Sequence, residues 1–154
     1  MDAKRIAQCR YVVCAAPNYL EQYGRPNTPE DLTHHNCLLF RYWNTPDQWQ
    51  FLDKDDQFIG VKVRGEVVSN NSLALRAILL GGGCITMAPT FLVGGDIANG
   101  RLVSVLNNYS IKPLSVYAVY PHRQYLTAKV RAFLEFLATH IQADDPYWDK
   151  SLPL

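Results

Sequence analysis

From Ala77 to Gly95 the chain runs nineteen residues without a charged side chain. An apolar run of about twenty residues is what a helix needs to cross a bilayer, so this stretch decides between a membrane protein and a folded core. Its punctuation favours the core. Gly81, Gly82, Gly83, Pro89, Gly94 and Gly95 interrupt it, and such residues break helices instead of extending them. We read it as helix, turn and strand in succession, buried in a soluble protein with no membrane partner. The composition agrees, since 48% apolar and 19% charged residues is the balance of an ordinary globular domain. A length of 154 residues suits one domain, or two small lobes sharing a chain, and can bury a core without a metal or disulfide staple. Lysine and arginine total 15 against 14 for aspartate and glutamate. The chain therefore lacks the basic excess with which a module grips a DNA duplex.

Few residues offer chemistry. Cys9, Cys14, Cys37 and Cys84 form no C-x-x-C pair and have no suitably spaced histidines, which argues against zinc; no metal and no cofactor are expected. Cys14, Cys37 and Cys84 lie in apolar runs and read as small core residues, kept reduced in a cytoplasm. Met1-Asp2-Ala3-Lys4-Arg5 has no apolar stretch behind its charges, so export is not expected. Gly81-Gly82-Gly83 follows a helix instead of opening one, which fits a helix stop and not a phosphate cradle. His34 and His35 are adjacent, so their side chains diverge. Asp53, Asp55 and Asp56 read as a solvated turn, because the glycine and glutamate of a calcium loop are misplaced. No nucleophile, base and orienter assemble, and catalysis is not expected.

Strand and helix signals alternate along the chain. Tyr11 to Ala15 reads as a buried strand, followed by a short helix at Asn18 to Tyr23 that Pro17 starts and Gly24 stops. Thr28 and Pro29 open a second short helix, and Cys37 to Phe40 is the next strand. Trp49 to Phe51 and Phe58 to Val63 look like a hairpin across the Asp53–Asp56 turn. Asn70-Asn71-Ser72 caps a helix from Leu73 to Leu80, and Cys84 to Met87 is a short buried strand. Pro89 begins a loop or helix toward Ala98. Leu102 to Leu106 and Leu114 to Tyr120 are the last strands. Thr127 caps a final helix whose Val130, Phe133, Leu134, Leu137 and Ile141 share one face. The tail from Asp144 is expected to fray. Such alternation predicts an α/β architecture with a largely parallel sheet, and ligands in that class bind beyond the carboxyl ends of strands. Two places qualify: the aromatic stretch Phe40-Arg41-Tyr42-Trp43, and the helix start at Asn70-Asn71-Ser72, where free N–H groups suit a small anion.

The run from Tyr11 to Leu20, followed by Gly24-Arg25-Pro26 and Thr28-Pro29-Glu30-Asp31-Leu32, resembles the effector-binding domain of LysR-type transcriptional regulators. Asn71 with its helix, Gly81 to Pro89, Gly100-Arg101-Leu102-Val103, Leu114 to Pro121 and Lys129 to Leu137 continue in the same order. The resemblance implies a periplasmic-binding-protein-like two-lobed fold, with one lobe largely complete (about residues 17–115) and the other partial (10–16 and 116–141), then a tail at 142–154. It implies a small-molecule effector held between lobes by Arg41, Tyr42, Asn71, Ser72, Met87 and Pro89, and the aromatic content and helix start of that cleft lean toward an anionic or aromatic one. Homodimers or tetramers would follow, with promoter DNA gripped only by a winged helix-turn-helix head. That head and the first strand–helix units of one lobe have no counterpart here, so the chain reads as N-terminally truncated, with exposed apolar surface that favours association. The alternative is a stand-alone solute-binding module with no DNA role.

Overall fold

The computed structural model describes residues 1–122, 124, 126–150 and 152. Strand β1 (Asp2–Cys9) leads directly into β2 (Tyr11–Ala15), which is followed by helix α1 (Pro17–Tyr23) and a 3-10 helix at Pro29–His34. Next come β3 (Leu39–Phe40), the pair β4 (Gln48–Leu52) and β5 (Phe58–Lys62), and β6 (Val68–Ser69). Helix α2 (Ser72–Leu80), β7 (Ile85–Pro89), α3 (Thr90–Ala98) and β8 (Val103–Val105) complete the larger unit. Strand β9 (Leu114–Tyr120) and helix α4 (Ala128–Ile141) then return to β1.

The centre of the larger unit is β2, with β7 on one side and β8 on the other. Val13 stands opposite Met87 on one flank and Val105 on the other. A parallel bridge between Cys37 and Ile85 carries the sheet on toward β3, which pairs in parallel with β6. The strands β6, β3, β7 and β8 thus run one way and β2 runs against them. This corrects the expectation of a largely parallel sheet, since both pairings of β2 are antiparallel. A strand buried on both faces reads as the same apolar run in either direction, so Val12-Val13-Cys14-Ala15 carries no signal of its orientation. Residues 11–15, expected to side with 116–141, lie instead in the middle of the larger sheet.

Two apolar clusters sandwich this sheet. One gathers Tyr19, Leu32, Trp49, Phe51 and Ile85, the other Leu38, Leu75, Leu79, Val93 and Leu102. The hairpin forms as its alternation requires: Trp49 and Phe51 are buried while Gln48 and Gln50 are exposed. The Asp53 carboxylate accepts from the N–H groups of Asp55 and Gln57 at 2.8 and 2.9 Å, so it organises the turn. Asp31 accepts from Asn27 and Thr28 N–H, both at 2.9 Å, and these bonds hold its carboxyl below the ordinary aspartate value. The glycine run is a helix stop. Gly82 has φ +83°, and a Cβ there would stand 2.4 Å from Asn18 Nδ2, so only glycine fits. All four cysteines are free and buried, and no group of ligating side chains among the described residues could hold a metal.

The remaining elements are thinner. Strand β1, which the sequence reading missed, pairs antiparallel with β9 from Asp2 opposite Tyr120 to Cys9 opposite Leu114. Helix α4 starts as expected, with Thr127 Oγ1 accepting from Val130 N–H. Its apolar face is only partly covered, however: Leu134 is buried, while Val130 and Phe133 are exposed. Up to Lys150 the tail is docked and does not fray. Pro146 and Asp149 are buried, and Gln8 N–H donates to Ala143 O at 2.9 Å. No helix among the described residues is long and apolar enough to cross a membrane.

Candidate functional site

The reversed direction of β2 builds the site. Strands β3, β6 and β7 end at one edge of the sheet, and helices α2 and α3 begin just after β6 and β7. Because β2 is antiparallel, its first residue, Tyr11, pairs with Pro89, the last residue of β7. A strand start therefore meets three strand ends and two helix starts.

Two cavities open there. The inner one, about 160 Å³, is walled by Tyr11, Phe40, Leu75, Met87 and Phe91, with Ser72 at its rim. The outer one, about 520 Å³, adds Tyr42, Gln48, Gln50 and Lys112. Tyr11, Trp43 and Met87 line both. Tyr11 and Trp43 meet edge to face, with ring centroids 5.6 Å apart and planes at 71°, a favoured aromatic geometry. Burial pushes the Tyr11 phenol up to about 12, assisted by the neighbouring Cys9 thiol. It stays neutral and offers a ligand an apolar face, while its hydroxyl is engaged with the Cys9 thiol.

Free donors are few. Thr86 Oγ1 donates to Leu38 O at 2.7 Å, so this inner-cavity hydroxyl is already engaged. At the start of α2, Asn71 Oδ1 accepts from Leu73 and Ala74 N–H at 3.0 and 3.1 Å. Asn71 thus uses up donors that an anion would otherwise take. Ser72 retains its hydroxyl for the inner cavity, and Lys112 brings the one cation to the residues lining the outer.

Of the residues expected from sequence, Ser72, Met87 and Pro89 line the inner cavity, and Met87 also lines the outer cavity with Tyr42. Asn71 is an exposed helix cap beside it. Arg41 is exposed and lines neither cavity. Strand β3 lasts two residues, after which the backbone turns and Trp43 N–H returns to Phe40 O at 3.4 Å. The turn brings Trp43 back to the cavity wall. Arg41 N–H meanwhile donates to Ser69 O at 2.9 Å. Sequence reasoning missed Tyr11, whose placement depends on the direction of β2. Phe91 was missed too, although it follows Pro89 at a helix start, the same signal that marked Ser72.

Comparison with known proteins agrees with this architecture. The family model for the LysR substrate binding domain matches residues 1–142. The regulator PtxR of Pseudomonas aeruginosa is 32% identical over 141 residues, which is 92% of this chain and 45% of that protein. DmlR of Escherichia coli is 32% identical over 145 residues, 94% of this chain and 47% of that one. The structure of the CrgA regulatory domain from Neisseria meningitidis superposes with a TM-score of 0.77 at 31% identity, covering 90% of this chain and 67% of that one. The chain belongs to the LysR substrate binding domain family. Its mixed α/β fold is that of LysR regulatory domains, which are two-lobed and periplasmic-binding-protein-like, and it spans about half the length of the regulators it matches.

Proposed function

We propose that the paired cavities hold a small-molecule coinducer with a flat apolar body and an anionic group. The body would fill the inner cavity between Tyr11, Met87 and Phe91. The anionic group would meet the Ser72 hydroxyl or Lys112 across the Tyr11–Trp43 partition. The observation that carries this reading is the shared wall: an aromatic pocket that shares Tyr11, Trp43 and Met87 with a more polar one suits an amphipathic metabolite. In a complete regulator, such a ligand would bias two arrangements of lobes or subunits by binding one more tightly. That bias would change the grip of a separate DNA-binding head on promoter DNA, in a cytoplasmic homo-oligomer, with no catalysis. The lobe boundary would fall at Arg10 and near Lys112–Leu114, where the chain passes between the larger sheet and the β1–β9 pair.

Calorimetric titration with benzoate, a flat aromatic carboxylate, tests the site. Ser72→Ala should weaken binding roughly tenfold, since a hydrogen bond to a charged group contributes about 1.5–3 kcal/mol. Met87→Trp, which fills the inner cavity, should abolish binding, and Arg41→Ala should leave it within a factor of about two. Binding that survives Met87→Trp, or no binding by the native protein of benzoate and its ring-substituted relatives, overturns the reading.

A further inference from the structure

The tail joins parts of the molecule that the rest of the fold leaves apart. Arg10 is the one residue between β1 and β2, and its carbonyl accepts from Thr90 N–H at 2.9 Å. Its guanidinium Nε lies 3.7 Å from the Asp149 carboxylate, whose side chain is 2% exposed. Beside Asp149, the Trp148 ring packs edge to face on Phe91, with centroids 6.2 Å apart and planes at 77°. Trp148 O and the Leu152 side chain lie over Gly94 of α3, where an added Cβ would meet them at 3.2 and 3.6 Å. On the opposite flank, Gln8 of β1 donates its N–H to Ala143 O. The buried side-chain polar atoms left without a hydrogen bond among the described residues are those of Thr90, Trp148 and Asp149. All lie at this one junction. Leaving such atoms unpaired is costly, so the apolar contacts of Trp148 and Leu152 and the attraction of Arg10 must hold the segment down.

We infer that residues 143–150, with Leu152, form a strap fixing the β1–β2 junction against the start of α3, with Trp148 as the positioning residue for the cleft wall at Phe91. The geometry is direct. One side of Phe91 lines the inner cavity and its ring also meets Trp148. Arg10, held by Asp149, immediately precedes Tyr11, which lines both cavities. A change in the cleft that moves Phe91 or Tyr11 must therefore disturb the strap, and through Ala143 it reaches β1. Coupling of this kind is reciprocal, so loosening the strap must alter the cleft.

Amide hydrogen exchange on the intact chain tests the strap without a ligand. Trp148→Ala should speed exchange about tenfold at Gln8 and at Thr90, whose N–H groups bond Ala143 and Arg10, while the β4–β5 amides stay protected. Acrylamide should then quench Trp43 more readily in Trp148→Ala than in Trp148→Phe, which keeps a ring on Phe91 and should restore exchange to near the native rate. Gly94→Ala, which presses on Trp148 O from the α3 side, should loosen the same two amides with every strap side chain intact. Faster exchange at Gln8 alone, with Thr90 and Trp43 unchanged, overturns the inference, as does unchanged exchange at both. The link to ligand binding rests on the effector reading of the cleft, whereas exchange needs no ligand. A cleft that binds nothing would leave the strap standing, and exchange results that overturn the strap would leave the effector reading to be decided by the benzoate titration of the native protein.

Discussion

The larger unit and the β1–β9–α4 unit are built from equally amphipathic sequence, yet they end up differently packed. Around β2 a core closes: Trp49, Leu79, Ile85, Val93 and Leu102 are all 1% exposed or less. In the smaller unit, Val119 of β9 is 62% exposed and Phe133 of α4 is 59% exposed. The helix forms because its local signals are sound, a Thr127 cap and a 3.6-residue apolar period, and the strand pair is held by its antiparallel ladder. Local signals specify an element, whereas burial needs a second layer. The contrast shows that secondary structure and core are separate achievements, and that a sequence can encode the first over a stretch where the second is thin.

Side-chain truncation is the strongest way to break the comparison. Trp49→Ala removes the largest fully buried side chain and should cost about 3–5 kcal/mol of unfolding free energy. Phe133→Ala removes a ring of comparable chemistry from an exposed face and should change stability by less than about 0.5 kcal/mol. Urea unfolding of the two variants reads the difference in midpoint. Equal losses would mean that α4 is packed as firmly as the hairpin, and the contrast would collapse.

Association should sharpen it next. Val119, Phe133 and Phe136 put large apolar groups into solvent on one small unit, and surfaces of that kind drive contact between copies. Sedimentation velocity should show the chain associating with rising concentration. Phe133→Glu should shift the distribution toward monomer with little change in urea midpoint. A strictly monomeric native chain would show that the exposed face is inert.

How much of this was legible in the residues depends on which kind of signal each feature needs. Periodicity and caps were readable: Asn71 opens α2, Thr127 opens α4, and the alternation of Trp49 and Phe51 with glutamines makes the hairpin. Strand direction was not, because Val12 to Ala15 is buried on both faces. That single unknown hid the placement of Tyr11. Ser72 could be picked out as a helix start, whereas Met87 and Pro89, inside β7, were indicated only by the family resemblance. Arg41 could not be excluded, because only the turn after β3 reveals that Trp43 folds inward in its stead. Strand β1 was masked by Lys4 and Arg5, exposed on a half-covered ribbon. The tail misled through its prolines and acids: Pro146 is a buried anchor, and Trp148 supplies the docking ring.

Acid supplies the smallest and most selective test, because its target lies in the larger unit alone. Tyr19 OH and His35 Nδ1 are 2.8 Å apart, and Tyr19 is a core residue at 1% exposure. Burial holds His35 below the ordinary histidine value of 6.5; nearby Asp31 opposes this shift, and His34 adds to it. A histidine with a depressed folded-state pKa takes up protons more readily when unfolded. Its contribution to stability is therefore complete above 6.5 and is lost as pH falls through the lower folded-state value. Thermal unfolding between pH 7 and pH 5 should show a modest fall in midpoint that is smaller in His35→Gln, which cannot titrate but keeps a polar group beside Tyr19. If the fall is the same in both proteins, the acid sensitivity arises elsewhere. If β1–β9 amides lose protection before those around β2, the smaller unit yields first even when the destabilising proton sits in the larger one, and the order of packing becomes the order of unfolding.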